Sequence, residues 1–304
     1  MENSSLQKLT IGVDVGGTKI LTGLVDENGK VLLSEKTPMD SSDQETTVRS
    51  VLDSLDAFIR KTEGRYPFSA VGFGLVGACD VKNSVWVRAS NLPITQPVEL
   101  GRIVSARYHV PGFVDNDVFS AAIAENSFGA GREYDDFILI NVGTGLSAGI
   151  VADGRIIRGA GNVAGEIGRT SLGLTDWSEG MLEDICSGGG ILRRAADSRF
   201  RSTKEIVEKM DQDAAASRVV GEAVSALGEA CAALVTIFNP SAVILAGSIG
   251  TLPFLPGYLE NCIRQRAFAP AAACLKEVRP TSLEGGAAGL IGAAEHARCR
   301  LGGC

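Results

Sequence analysis

Asp14, Asp117, two glycine turns and Gly165-Glu166 are the parts of this chain whose types and spacing suit chemistry. Asp14 stands two residues ahead of the turn Gly16-Gly17-Thr18-Lys19. Asn116-Asp117 closes a short apolar run and opens an Ala-rich helical segment. Gly143-Thr144-Gly145 separates two further apolar runs, and Gly165-Glu166 follows another glycine-rich turn. Glycines between strands let the backbone approach a ligand closely and turn its N–H groups towards an anion. A carboxylate just before such a turn is placed to hold a metal ion, usually through water. A carboxylate at a helix start can accept a proton from a hydroxyl. Together these groups suit phosphoryl transfer, which needs positioning, charge neutralisation and a proton acceptor.

The elements that must position them follow from periodicity and turn chemistry. Leu9–Val15, Ile20–Val25 and Lys30–Ser34 read as three hairpin strands, the last two joined at Glu27-Asn28-Gly29. Ser42 with Glu45 reads as a capping box, and Val48, Val51, Leu52, Leu55, Phe58 and Ile59 recur at helical spacing. That helix crosses to a strand at Ser69–Leu75. Three hairpin strands, a helix and a strand make half of an actin-like, ribonuclease-H-type lobe. The order restarts with strands at 136–142, 146–152 and 155–158, the last two turned by Asp153-Gly154, the strongest hairpin signal in the chain. Helices around Met181–Ile185 and Ile191–Ala196, a long helix over Asp213–Phe238, a strand at Ala242–Ala246 and a terminal helix at Ala287–Arg298 complete the pattern. The expected fold is therefore α/β, with a coarse internal duplication.

Composition bounds the partners. The 304 residues are 45% apolar and 21% charged, as in a soluble globular protein of two ordinary domains. Net charge is −7 with no basic run, which argues against nucleic acid. It also means that a polyphosphate ligand would arrive with a divalent cation. No uninterrupted apolar stretch reaches ~18 residues, so no membrane span is expected. The polar start MENSSLQK does not read as a signal peptide, so none is expected, and seven cysteines without C-x-x-C spacing read as reduced thiols in a cytoplasm. Two motifs are rejected. Thr18 stands where a P-loop needs lysine, and Gly72-Phe73-Gly74-Leu75-Val76-Gly77 spells G-x-G-x-x-G without a following helix.

Over nearly its whole length the chain resembles the ROK family of bacterial sugar kinases and sugar-responsive repressors. The stretches that carry the resemblance are IGVDVGGTK (11–19), NLP (91–93), DNDVFSAAIAE (115–125), FILINVGTGLSAGIV (137–151), RGAGNVAGEIG (158–168), LEDICSG (182–188) and GGAAGLIGAA (285–294). The resemblance implies a two-lobed actin-like, ribonuclease-H-like ATPase fold with ATP and sugar in the inter-lobe cleft. The lobes are expected at 1–117, completed by the C-terminal helix 287–304, and at 118–286. Carried over residue by residue, Asp14 would hold Mg2+ through water, and Gly16, Gly17, Thr18 and Lys19 would line the transferred phosphate. Gly143, Thr144 and Gly145 would form the second phosphate turn, and Gly247 and Ser248 would lie near the adenosine. Asn91, Asn116, Glu166 and Glu183 match positions that bind sugar hydroxyls, and Asp117 matches the catalytic base. Paired acceptors and donors on Asn and Glu suit hydroxyls. An aspartate at a helix start also serves as an N-cap, and both roles can coexist at Asp117.

Departures from the family pattern are informative. Arg169 stands where members carry histidine, and Thr170–Met181 lacks the cysteines of their structural zinc, so no zinc site is expected. Arginine is longer and permanently charged, so Arg169 is expected to contact either the sugar or Glu183. The phosphate turn begins within the first twenty residues, so the helix-turn-helix of the repressor branch is not expected and the kinase branch is. The expected activity is an ATP- and Mg2+-dependent transfer to a hexose hydroxyl, the 6-hydroxyl of glucose or of an N-acetylated hexosamine. The rival is a non-catalytic sugar sensor lacking a DNA-binding domain. Expected partners are a small-molecule sugar and a second copy of the chain in a homodimer, with no nucleic acid and no membrane.

Overall fold

The computed structural model describes residues 9–62, 65–89, 91–171, 180–195 and 200–302. It divides into two compact units. The first comprises Met1–Arg132, Arg158–Val163 and Leu283–Cys304, and the second Glu133–Ile157 and Ala164–Ser282.

The first unit starts with a meander, β1 (Leu9–Val15), β2 (Lys19–Val25) and β3 (Val31–Pro38), followed by helix α1 (Gln44–Thr62) and β4 (Phe68–Leu75). A small hairpin, β5 (Ala78–Asp80) and β6 (Val85–Arg88), precedes α2 (Leu100–Tyr108), β7 (Gly112–Asn116) and α3 (Asp117–Phe128). The sheet order is β3-β2-β1-β4-β7, antiparallel through the meander and parallel from β1 to β7. Parallel neighbours need long crossovers, which α1 and the β5–β6–α2 excursion provide. Ile11, Val13 and Val15 of β1 are fully buried, and with Leu55, Phe73, Leu75 and Trp86 they form this unit's main core. The start of α1 differs from the expected capping box. Asp43, not Ser42, is the cap, since the Thr46 amide donates to Asp43 Oδ1 at 2.7 Å. An aspartate one residue nearer the helix reaches the amide of the third helical residue, Thr46, in the first turn.

The second unit repeats the plan. It runs β8 (Phe137–Val142), β9 (Leu146–Ala152), β10 (Arg155–Ile156), α4 (Leu182–Cys186), α5 (Gly188–Arg194), α6 (Thr203–Lys209) and α7 (Ala214–Phe238). Then come β11 (Ala242–Ala246), α8 (Gly247–Gly250), α9 (Leu255–Arg266), α10 (Ala269–Cys274) and β12 (Glu277–Pro280). The sheet order β10-β9-β8-β11-β12 has the same antiparallel-then-parallel arrangement as the first sheet. Asp153 and Gly154 both have positive φ, at 52° and 68°, the geometry of a two-residue hairpin turn. Helix α7 is long and apolar enough to cross a membrane by length and composition alone. Val219, Val220, Ala223, Leu227 and Val235, however, are buried in this unit's core against Val243 and Leu245.

The last helix, α11 (Ala288–Arg300), returns to the first unit and packs on α3, β1 and β4. Its approach depends on missing side chains. A Cβ at Gly12 would overlap the Leu290 carbonyl, one at Gly72 the Ala293 carbonyl, and one at Gly292 the Ser120 carbonyl. Because α3 packs on α11, it belongs with the first unit, and the break lies after Arg132 rather than after Asp117. Cys79, Cys186, Cys231, Cys262 and Cys274 are free thiols. Cys299 is disulfide-bonded, contrary to the expectation of reduced thiols throughout.

Candidate active site

In the first unit β1 delivers Asp14 to the start of the first glycine turn. Asp14 lies opposite Leu21 on β2 and Gly74 on β4. The Gly16 amide donates to the Lys19 carbonyl at 3.0 Å, closing the turn, and Thr18 and Lys19 are exposed. Gly289, in the first turn of α11, faces the aspartate so closely that a Cβ there would lie 2.8 Å from the Asp14 carboxyl carbon. Burial pushes the Asp14 carboxyl up to about 6, against the pull of Lys19.

The β7–α3 junction carries the second carboxylate. Asn116 is the N-cap of α3, its Oδ1 accepting the Val118 and Phe119 amides at 2.9 and 3.3 Å. Asp117 is the first helical residue, and its Oδ1 accepts the Val118 amide at 3.0 Å. The capping role open to Asp117 thus falls to its neighbour. The Asn116 oxygen is committed to the helix, while Nδ2 donates to the Gly77 carbonyl at 3.0 Å. Asn91 is exposed on the loop between β6 and α2.

Three residues of this neighbourhood were given no role from the sequence. Asp115, fully buried at the end of β7, is held by both nitrogens of Arg158, Nη1 to Oδ1 at 2.5 Å and Nη2 to Oδ2 at 2.6 Å. His296 of α11 places Nδ1 3.6 Å from Asp115 Oδ2, and burial lowers its pKa to about 4, so the ring is neutral. Arg158 is far from Asp115 in sequence, and a lone arginine before Gly159 reads as a surface residue. The one available hint was a carboxylate inside an otherwise apolar strand. Burial, with Asp115 and Asp117 adding to it, raises the Cys79 thiol well above its ordinary value, so it is an inert neighbour.

In the second unit the turn Gly143-Thr144-Gly145 joins β8 to β9, the same place in the repeat as Gly16–Thr18 in the first. The Gly188 and Gly189 amides donate to the Gly143 and Thr144 carbonyls at 2.8 and 3.4 Å. Glu183 Oε2 accepts the Leu146 amide at 3.0 Å, so this glutamate braces the turn. Gly247 follows β11 at φ 83°, where a Cβ would overlap the Val142 carbonyl, and Ser248 beside it is exposed. Gly165, at φ 84°, sits against the Ala148 carbonyl of β9 and presents Glu166 next to it. Partial burial raises the Glu166 carboxyl, Arg169 lowers it and Glu183 raises it, so these three side chains share one electrostatic neighbourhood. Arg169 lies 3.8 Å from Glu183 Oε1, one of its two expected contacts. The described residues contain no cluster of histidine, cysteine and carboxylate suited to a metal. Residues 172–179, where the family's zinc ligands would fall, lie outside the described residues.

Two sheets of like order, each with a glycine turn after its first strand, define the class as the two-lobed actin-like ATPase fold. The particular family is narrower. The ROK family model matches residues 10–299, and the chain belongs to that family. It is 31% identical to a glucokinase of Streptomyces coelicolor, over 95% of this chain and 98% of the relative. It is 30% identical to the xylose repressor of Caldicellulosiruptor bescii, covering 85% of this chain and 70% of that protein. Among solved structures it resembles a ROK family glucokinase from Streptomyces griseus in complex with glucose and AMPPNP. That likeness has a TM-score of 0.76 and 30% identity, and it covers 96% of this chain and 99% of the other.

Proposed function

We propose that the protein is a hexose kinase that moves the terminal phosphoryl group of ATP, with Mg2+, to a hydroxyl of glucose or of an N-acetylated hexosamine. The repetition of a glycine turn after the first strand of each sheet, with Asp117 on the helix that follows β7, carries this reading. The glucokinase relative and the complex of its homologue with glucose and AMPPNP support it.

The residues fit both cofactors. Asp14 is a carboxylate whose burial resists ionisation, a cost that a divalent cation beside it would reverse. A Cβ on Gly143 would meet nothing, so the turn offers an open backbone surface for phosphate. Mg2+ held at Asp14 through water would neutralise charge on the phosphates. Gly16, Gly17, Thr18, Lys19, Gly143, Thr144 and Gly145 would bind those phosphates, and Gly247 and Ser248 the adenosine. Asn91, Asn116, Glu166, Arg169 and Glu183 would hold sugar hydroxyls. Asp117 would accept the proton of the attacking hydroxyl.

Sugar-dependent ADP release across a panel of hexoses tests the activity. A positioned base contributes about 10²–10⁴-fold in rate. Asp117→Asn leaves the Asn116 cap untouched, so kcat should fall by about that factor while sugar binding persists. Near-normal kcat in the Asn variant, with sugar saturating, would remove Asp117 from the chemistry. Sugar binding without any ADP release would instead identify a sensor, the reading that the xylose-repressor relative favours.

A further inference from the structure

The segment Arg158–Val163 belongs to the first unit, although the chain on both sides of it belongs to the second. Its attachment is specific. The Arg158 guanidinium grips both oxygens of Asp115, and Nη1 also donates to Asn162 Oδ1 at 3.2 Å. The Asn162 Nδ2 donates to the Cys79 carbonyl at 3.2 Å, and the guanidinium lies 5.2 Å from the Phe119 ring centroid on α3. Asp115 Oδ1 in turn accepts the Asn116 amide at 2.9 Å. The backbone on either side of Asp117 is therefore fixed by side-chain oxygens. The Asn116 amide before it is held by Asp115, and the Val118 amide after it by Asn116.

A fully buried carboxylate needs its charge answered where it lies. Arg158 answers it with a planar fork that sets orientation as well as charge. His296 cannot share that task, because it is neutral and 3.6 Å away. No other cation is paired with Asp115 among the described residues. Phe119, on the first turn of α3, is in reach of the same guanidinium, so one side chain fixes the strand end, the capping residue and the helix start.

From this geometry we infer that Arg158 is a positioning residue for phosphoryl transfer. Acting through Asp115 and Asn116, it aims the Asp117 carboxylate at the attacking hydroxyl. The inference rests on the reading of Asp117 as the base. Arg158 touches no substrate in this scheme, and its effect belongs in kcat.

A double-mutant cycle tests it, using Arg158→Met with and without Asp117→Asn in the full chain and measuring kcat, both KM values and circular dichroism. Misplacing a reacting group by about 1 Å can cost about 10²-fold. Arg158→Met should therefore lower kcat by about that factor with the KM for ATP within about twofold. In the Asp117→Asn background it should cost nothing further, because the base it aims is gone. Arg158→Lys, which keeps the charge but loses the fork, should recover the fold and only part of kcat. If Arg158→Met leaves Asp115 uncompensated and the chain unfolds, Asp115→Asn with Arg158→Met removes both charges and enters the same cycle. Equal losses in the two Asp117 backgrounds, or a loss carried by KM, would overturn the positioning role while leaving Asp117 as the base. Near-normal kcat in Asp117→Asn alone would overturn both.

Discussion

Burial lifts the Asp14 carboxyl to about 6 from an ordinary 3.8. The folded protein therefore binds a proton more tightly than the unfolded chain does. Stability is then lost as pH rises from about 4 to about 6, and the loss persists above that. Asp14→Asn should raise Tm at pH 7, change it little near pH 4, and abolish activity. A Tm gain equal at both pH values would mean that ionisation of Asp14 is not what costs stability. Arg169 is the residue on which substrate choice should turn. Its side chain is 52% exposed and only loosely paired with Glu183, so its charged head remains accessible to a ligand. Arg169→His should alter relative kcat/KM among hexoses more than the KM for ATP, and an unchanged sugar ranking would place the side chain outside the sugar's reach. At this scale the sequence showed residues whose neighbours are local, such as Asp14 beside its turn. It could not show Arg158, because its partner lies 43 residues away on β7 and no local pattern marks a buried ion pair.

Strands and helices were legible where one face alone decides them. β1 alternates apolar residues, β8 and β9 are apolar runs bounded by turn residues, and α7 carries helical apolar spacing, and all four lie where those patterns place them. The misreadings have tertiary causes. Helices were expected around Met181–Ile185 and Ile191–Ala196, which leaves Gly188-Gly189-Gly190 outside both, yet Gly188–Arg194 is helical from its first glycine. Backbone contact with the Gly143 turn and a hydrogen bond from Thr203 Oγ1 to the Gly188 carbonyl outweigh the poor propensity. The G-x-G-x-x-G string likewise has a packing cause, since Gly72 admits the α11 backbone and Gly77 turns at φ 97°. Gly72→Ala should therefore force α11 off the sheet. Overpacking of this kind costs about 1–3 kcal/mol, readable as a lower midpoint in urea at constant slope. An unchanged midpoint would show that the helix shifts without penalty.

Across the whole molecule, the chain passes between the two units four times, after residues 132, 157, 163 and 282. The duplication was visible in the sequence as element order, but its boundaries were not, because they depend on which helix α3 packs against. The second unit is nearly continuous in sequence, whereas the first is assembled from the two ends of the chain and a six-residue loop. Domains emerge from the ribosome in order and fold as units. The β-meander carrying Asp14 is made first, yet α11, whose Gly289 stands against that aspartate, is made after every residue of the second unit. During synthesis the earliest-made sheet waits longest for its cover, with Gly12 and Gly72 still unmet by any helix. The half of the molecule that starts first is covered only after every strand of the second sheet has been made.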